Sequence, residues 1–301
     1  MGTSLSPELS QWQSRGRMIK VFNHEVFTIT AGDQSKPALC ILHGFPSFSY
    51  DYLHVLDTLS EHFYVVVHDH LGYGLSDKPK DYSYSLIEQA EVALKLWQQL
   101  GIEKAHILGH DYGTSVATEI IAKSLRNQLP VELETITLCN GSVHIELAQL
   151  TLSQKLMRSQ LLGKHFVKTI REPFFKKRFR NLFADPTTIG EQELDVLWEG
   201  INLNRGRDRL PQISKYLYER VKYWHRWIGA LTICPYPVHV LWGTEDPIAV
   251  ADIARQLDRE IPNSTLSWLE GVGHYPMMEK PREWLSNCLL YTSDAADDCW
   301  S

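Results

Sequence analysis

A carboxylate framed by two glycines carries the first chemical signal in this chain. In Gly109-His110-Asp111-Tyr112-Gly113 the glycines stand two before and two after Asp111. That is the spacing of a nucleophile elbow, a sharp strand-to-helix turn that holds its central side chain proud of a sheet. Asp also caps helices, so the glycines alone would suit a plain helix start. Partners in the order nucleophile, acid, histidine lift the catalytic reading: Gly243-Thr244-Glu245-Asp246-Pro247 offers an acid and Gly271-Val272-Gly273-His274-Tyr275-Pro276 a histidine. Of the two acids, Asp246 is preferred over Glu245 for its place just before Pro247. A fourth part is His43-Gly44-Phe45-Pro46. The backbone N–H groups of Phe45 and Tyr112 can point at one oxygen and form an oxyanion hole. A Gly-Pro turn would explain the same four residues.

An Asp nucleophile has a chemical reason. A serine that attacked an sp³ carbon would leave a stable ether, whereas Asp leaves an ester that water can cleave. Asp111 would thus open an epoxide or displace a leaving group, and His274, oriented by Asp246, would activate water against the ester. No metal or organic cofactor is implied. His68, Asp69 and His70 make a poor chelate because neighbours on a strand end point in opposing directions. His43 is expected to order its turn by hydrogen bonding. Leu71-Gly72-Tyr73-Gly74-Leu75-Ser76 lacks the third glycine of a dinucleotide loop and is read as structural.

The elements that must position these residues follow from periodicity. Val26–Thr30, Ala38–Leu42, Phe63–Val67, Ala105–Leu108 and Thr135–Cys139 are short β-prone runs. A helix is expected from about Ser85 to Leu100, with Leu86, Ala90, Ala93, Leu94 and Trp97 at helical spacing and Gly101 as its stop. Strand and helix in alternation imply an α/β class with a mostly parallel sheet covered on both faces. From Gly141 to Leu231 the strands vanish and the sequence turns helix-like, basic around Lys155 to Arg180 and aromatic toward its end. The β rhythm returns at Val238–Trp242 and Thr265–Leu269. Residues 1–140 and 232–287 are therefore expected to form the core and 141–231 a helical cap over the strand ends, where open α/β sheets bind ligands. The basic run equally suits a solvated helix face.

With 301 residues, 44% of them apolar, 22% charged and 11% aromatic, the chain can build one large core, which excludes a disulfide mini-scaffold or a disordered chain. A net charge of −6 gives no general attraction for nucleic acid, and no run is long and apolar enough to span a membrane. A soluble, cytoplasmic protein is expected. Its opening residues lack a secretory pattern and match a short myristoylation acceptor. Cys40, Cys139 and Cys234 sit in apolar surroundings that suit buried reduced thiols. Residues Cys288 to Asp297 resemble the conceptual translation of a sequencing adapter, so 288–301 is expected to be a non-native tail that packs poorly and leaves Trp300 exposed.

These motifs together resemble the α/β-hydrolases of the epoxide hydrolase and haloalkane dehalogenase group. The resemblance rests on His43-Gly44-Phe45-Pro46, Gly72-Tyr73-Gly74-Leu75-Ser76-Asp77-Lys78-Pro79, Asp111, Asp246 and His274. Within that group the chain is most similar to the mesoderm-specific transcript family, through Tyr82-Ser83-Tyr84-Ser85, His110-Asp111-Tyr112-Gly113 and Arg226-Trp227-Ile228-Gly229-Ala230-Leu231. It implies an α/β-hydrolase fold and a small to medium apolar electrophilic substrate. Dehalogenases place halide donors where Phe45 and Tyr112 stand, so the resemblance favours epoxide opening, with Trp224 or Trp227 as halide donors in the dehalogenase alternative. Epoxide hydrolases protonate the opening oxygen with cap tyrosines, for which Tyr216, Tyr218 and Tyr223 are candidates, with Trp224 beside them as a substrate contact. A binding or scaffold protein that no longer turns over is the third alternative.

Overall fold

The computed structural model describes residues 5–159 and 162–292, with side chains to residue 289. Eight strands form one sheet: β1 Arg17–Val21, β2 His24–Ala31, β3 Ala38–Leu42, β4 Tyr64–His68, β5 Lys104–His110, β6 Glu132–Cys139, β7 Val238–Gly243 and β8 Ser264–Leu269. Their order is β1-β2-β4-β3-β5-β6-β7-β8, with β1 and β2 antiparallel and every pair from β4 to β8 parallel. Strands β4 and β7 are buried along their whole length and β3, β5 and β6 toward their carboxyl ends, because helices cover both faces.

Four helices precede the insertion: α1 Pro7–Ser14, α2 Leu56–His62, α3 Leu86–Gln99 and α4 Tyr112–Ser124. Helix α3 starts where its sequence says it must. The Ser85 hydroxyl accepts the Ile87 N–H at 3.3 Å, the apolar stripe from Leu86 to Trp97 is buried, and Gly101 ends the helix at φ +74°. Helix α1 and strand β1 were not legible beforehand. The apolar residues of α1 are few, and it is anchored through Trp12, whose indole donates to Ser49 Oγ at 3.1 Å.

The connection from β3 runs to β4 on one side, and the chain then crosses back to β5 on the other. Loops leaving β3 and β5 therefore diverge and open a crevice at the carboxyl ends. Leu42 pairs with Gly109, so the two loops begin level with each other. Helix α4 presses against this seam so closely that a Cβ at Gly113 would sit 2.0 Å from the Leu42 carbonyl oxygen.

Between β6 and β7 the described residues contain no strand but seven helices: α5 Leu152–Met157, α6 Gly163–Thr169, α7 Glu172–Arg180, α8 Glu191–Asn202, α9 Leu210–Ile213, α10 Tyr216–Lys222 and α11 Trp224–Leu231. They divide in two. Helices α5, α7, α8 and α9, with Ile170 just after α6, supply residues to a cavity above the strand ends, whereas α11 packs on α4 and leads directly into β7. A bidentate pair fixes it there, Arg226 donating to both oxygens of buried Glu119 at 2.8 and 2.7 Å. The chain closes with α12 Ala251–Glu260, α13 Pro276–Glu279 and α14 Pro281–Thr292.

Helix α14 runs through Asn287 without a break. Cys288 is buried and Leu289 partly buried against the core, so the expected poor packing does not hold for the first two residues of the 288–301 segment. The reason is helical periodicity: Cys288 stands four residues after buried Trp284 and shares its face. Trp300 lies outside the described residues. Cys40, Cys139 and Cys234 are buried free thiols, and Cys288 is buried too.

Two measurements check this packing. Gly113→Ala should lose roughly 2–4 kcal/mol in urea unfolding through the Leu42 clash. Gly229→Ala, exposed in α11 with nothing within 4 Å of its added Cβ, should gain about 0.5–1 kcal/mol. Truncation after Asn287 should lower the melting temperature, since it strips Cys288 and Leu289 from the core; an unchanged value would restore the expectation of a dispensable tail.

Candidate active site

Asp111 leaves β5 with φ +44° and ψ −103° and is the N-cap residue of α4. A non-glycine residue rarely adopts such a backbone, and here the flanking glycines remove the side chains that would block the turn. The Phe45 N–H donates to Asp111 Oδ2 at 3.0 Å, while His274 Nε2 lies 3.9 Å from the same oxygen. His274 Nδ1–H donates to Asp246 Oδ2 at 2.6 Å. Asp246 Oδ1 accepts the N–H groups of Ile248 and Ala249 at 2.7 and 2.9 Å. Asp246 is buried, whereas Glu245 is exposed, which distinguishes the two acids of that loop. The structure thus brings together Asp111, Asp246, His274 and Phe45. Tyr112 follows directly in α4, its ring buried and its hydroxyl donating to the Tyr84 carbonyl at 3.4 Å.

Three contributors were missed in the sequence. Asn140, at φ +45° just after β6, donates from Nδ2 to Asp246 Oδ2 at 2.7 Å and accepts the Gly243 N–H at 3.1 Å. Glu279 accepts the N–H of Gly273 at 2.7 Å and that of Asp185, in the insertion, at 2.8 Å. Arg220, from α10, places Nη2 3.7 Å from Asp111 Oδ1 and donates to the Asp111 carbonyl at 3.2 Å. Asn140 was marked by its place after a strand; nothing local marks the other two.

A cavity of roughly 290 Å³ opens over Asp111 and His274. Phe45, Pro46, Pro247 and Ile248 line it from the core, and Ile170, Phe175, Phe179, Trp198 and Leu210 from the insertion. Its few polar side chains include Gln154, Asn181, Arg178 and Arg207. Such a mainly apolar space with convergent polar groups suits a small organic ligand.

None of the four aromatic residues expected at the cavity is among the residues that line it. Tyr216 is buried one layer behind, its ring 5.6 Å from that of Phe45 and 5.1 Å from that of Tyr112. Tyr218 is half exposed beneath Arg158, Tyr223 packs on Trp227, and the Trp224 indole donates to Glu146 at 3.0 Å. They belong to α10 and α11, which fold back toward α4, and that is the physical reason they fall outside the cavity.

Burial and charge set the protonation of the site. Burial pushes the Asp111 carboxyl up, but the charges of His274 and Arg220 bring it down to about 2. Burial pushes the His274 imidazole down, but the charge of Asp246, the hydrogen bond to it and the charge of Asp111 raise it well above an ordinary histidine. The resting pair is therefore carboxylate and imidazolium. His43 is different: Nδ1–H donates to the Gly44 carbonyl and Nε2 accepts the His70 N–H at 2.9 Å, which requires a neutral ring that orders its turn.

The strand-turn-helix at Asp111, with a histidine and a second acid delivered by later strand ends, is the active-site architecture of α/β-hydrolases. The chain belongs to that family: the model described as alpha/beta hydrolase fold matches residues 37–281. It is 35% identical over 290 residues to a Mycobacterium tuberculosis protein named as a hydrolase, LipZ, covering 96% of this chain and 99% of that one. It is 32% identical over 291 residues to the mesoderm-specific transcript homolog protein of Homo sapiens, covering 94% and 87%. Among solved structures, the epoxide hydrolase CorEH superposes with a TM-score of 0.74 at 18% identity, covering 91% of this chain and 96% of that one. An ancestral haloalkane dehalogenase superposes with a TM-score of 0.77 at 17% identity, covering 90% and 96%. At those identities the two structures speak to fold alone.

The site also makes a stability prediction. Burial lowers His43 to about 3 and His68 and His110 to about 4, and it holds His70 well below its ordinary value. Each is near 6.5 in the unfolded chain. Their folded values are depressed, so the stability they confer is full above pH about 6.5 and is lost as pH falls toward 4. Each contributes roughly 1.4 kcal/mol per pH unit in that window. His274, raised, is protonated in both states there and adds no slope. Urea unfolding between pH 6 and 4.5 should show a steep acid-side loss, and a flat profile there would contradict the neutral cluster.

Proposed function

We propose that this protein is a hydrolase with an Asp nucleophile, in which Asp111 forms an alkyl-enzyme ester with a small to medium apolar electrophile, in the manner of an epoxide hydrolase. The observation that carries the proposal is the division of labour on Asp111. Oδ2 is held by the Phe45 N–H, in the place where negative charge would later develop, which leaves Oδ1 as the attacking oxygen. His274 stands beyond hydrogen-bond reach of the carboxylate at 3.9 Å, a spacing that leaves room for a water to approach the ester carbonyl. The Oδ1 lone pair forms a C–O bond to carbon, the ring C–O bond breaks, and its electron pair stays on the opened oxygen. That oxygen takes the proton of His274 Nε2–H, and the now neutral imidazole deprotonates a water that attacks the ester carbon while the Phe45 and Tyr112 N–H groups stabilise the tetrahedral oxyanion. Its collapse breaks the bond between the Asp111 carbonyl carbon and the product oxygen, which leaves as the diol with the proton returned by His274, and the Asp111 carboxylate is restored.

Neither tryptophan weighed as a halide donor reaches the cavity, whose wall holds Trp198 instead. The Trp224 indole is committed to Glu146 and that of Trp227 to Glu119 at 2.7 Å, which removes both proposed halide donors. A substrate panel scored for diol against halide release separates the two chemistries. Thermal stabilisation by a panel member without product would favour a binding protein instead.

The covalent step is tested by one turnover in heavy-oxygen water with enzyme in excess. The oxygen delivered to product should come from Asp111, and solvent label should enter the Asp111 carboxylate. His274→Gln should still form the ester, with solvent water protonating the opened oxygen, and should slow its hydrolysis by about a hundredfold or more, so that the peptide containing Asp111 gains the substrate mass. Asp111→Ala should abolish both steps. Solvent label found entirely in the first-turnover product, with none in Asp111, would mean direct attack by water.

A further inference from the structure

Arg220 is a charged residue with 1% exposure, and it stands behind the nucleophile without lining the cavity. Its guanidinium is built in from four sides. Nε donates to Ser115 Oγ at 2.8 Å, Nη2 donates to the Asp111 carbonyl at 3.2 Å and lies 3.7 Å from Oδ1, and the plane covers the Tyr216 ring at 4.6 Å. Removing an arginine from water is costly unless opposite charge accompanies it. Here the accompanying charge is Asp111, the carboxylate that esterification would neutralise. In the resting site Asp111 and Asp246 balance His274 and Arg220, so the buried charges cancel.

We propose that Arg220 is a positioning residue whose charge makes His274 a free base only after Asp111 has been esterified. This deepens the Asp-nucleophile reading and rests on it. When Oδ1 bonds to carbon, one negative charge moves from Asp111 to the opened oxygen. With no tyrosine among the residues lining the cavity, the alkoxide takes its proton from His274 Nε2–H, and both become neutral. Arg220 and Asp246 then remain as the balancing pair. Reprotonation of His274 would place two cations against one carboxylate, so the field of Arg220 keeps the imidazole neutral and ready to deprotonate water.

Arg178 and Arg207 reach the cavity from the insertion but make no ion pair with Asp111 or His274 among the described residues, and the remaining groups facing this centre do not supply that charge. Burial holds Asp51 far above the carboxylate range and His110 down to about 4. Burial also raises Tyr73, Tyr216 and Tyr275, so these phenols stay neutral. Glu219, the neighbour of Arg220 on α10, points away and accepts the Leu86 N–H at 2.8 Å. Arg220 and His274 flank the two oxygens of the same carboxylate at 3.7 and 3.9 Å, and one charge across such a group in a partly shielded interior moves an imidazole by about one pKa unit.

The test follows loss of the Asp111 adduct by mass spectrometry, in single turnovers with styrene oxide or 1,2-epoxyhexane between pH 5 and 9. Wild type should hydrolyse the adduct with a base limb at or below about 6.5, the ordinary imidazole value. In Arg220→Gln and Arg220→Met the limb should rise by about one unit, slowing hydrolysis about tenfold below it and converging on the wild-type rate at high pH. Arg220→Lys, which keeps the charge, should stay near wild type. Equal slowing at every pH would indicate a structural role and overturn the proposal. If the Gln and Met variants fail to fold, the wild-type limb decides: a value above 6.5 refutes it. Absence of any Asp111 adduct in wild type and in His274→Gln would overturn the nucleophile reading and this inference together. An adduct with an unshifted limb overturns this inference alone.

Discussion

The floor of the cavity depends on how closely α4 approaches the end of β3. Gly113 lies beneath the Leu42 carbonyl with no space for a side chain, and Gly44 in turn lies against His110, where a Cβ would come within 2.7 Å of Nδ1. This double absence of side chains lets the β3 loop and the β5 elbow interleave, which is what puts the Phe45 N–H on Asp111. A helix one side chain farther away would leave Asp111 at the start of α4 but without its second donor. The strained backbone of Asp111 is tolerated because packing on both sides over-determines it.

Burial then turns proximity into chemistry. Asp111, Asp246, His274 and Arg220 are all nearly inaccessible to water, so each depends on the others for its ionised form. Asp246 is satisfied by two backbone donors, Asn140 and His274, and is left with little freedom to move. The imidazole ring is therefore held in one orientation, with Nδ1 on Asp246 and Nε2 toward Asp111. Around them, His43, His68, His70 and His110 are kept neutral, so the histidines that surround the site do not compete for its charge.

The insertion does more than roof the cavity. The His274 N–H donates to the Leu182 carbonyl at 2.7 Å, and Gly273 fits against the same carbonyl, where a Cβ would come within 2.3 Å. Glu279 bridges the His274 loop to Asp185. The segment that shapes the apolar walls thus also fixes the height of the histidine above Asp111. Displacement of this segment would disturb base geometry as well as substrate access, since both run through the same backbone contacts.

The local pattern of the chain determined the α/β class, most strands to within a few residues, the bounds of α3, and that Asp111, Asp246, His274 and Phe45 stand at strand ends, where the fold brings them together. These are legible because burial of one helix face or a whole strand repeats with a short period, and because turn residues mark the strand ends where loops must leave the sheet. Tertiary structure alone decided that α10 and α11 turn toward α4, which took Tyr216, Tyr218, Tyr223 and Trp224 away from the cavity wall. It alone brought Arg220 to Asp111, Glu279 to Gly273 and Cys288 into the core. Arg220 and Asp111 are separated by 109 positions in the chain. Periodicity records which face of a segment is buried, but not which distant segment covers it; that is set by how the helices of the insertion pack once the sheet has formed.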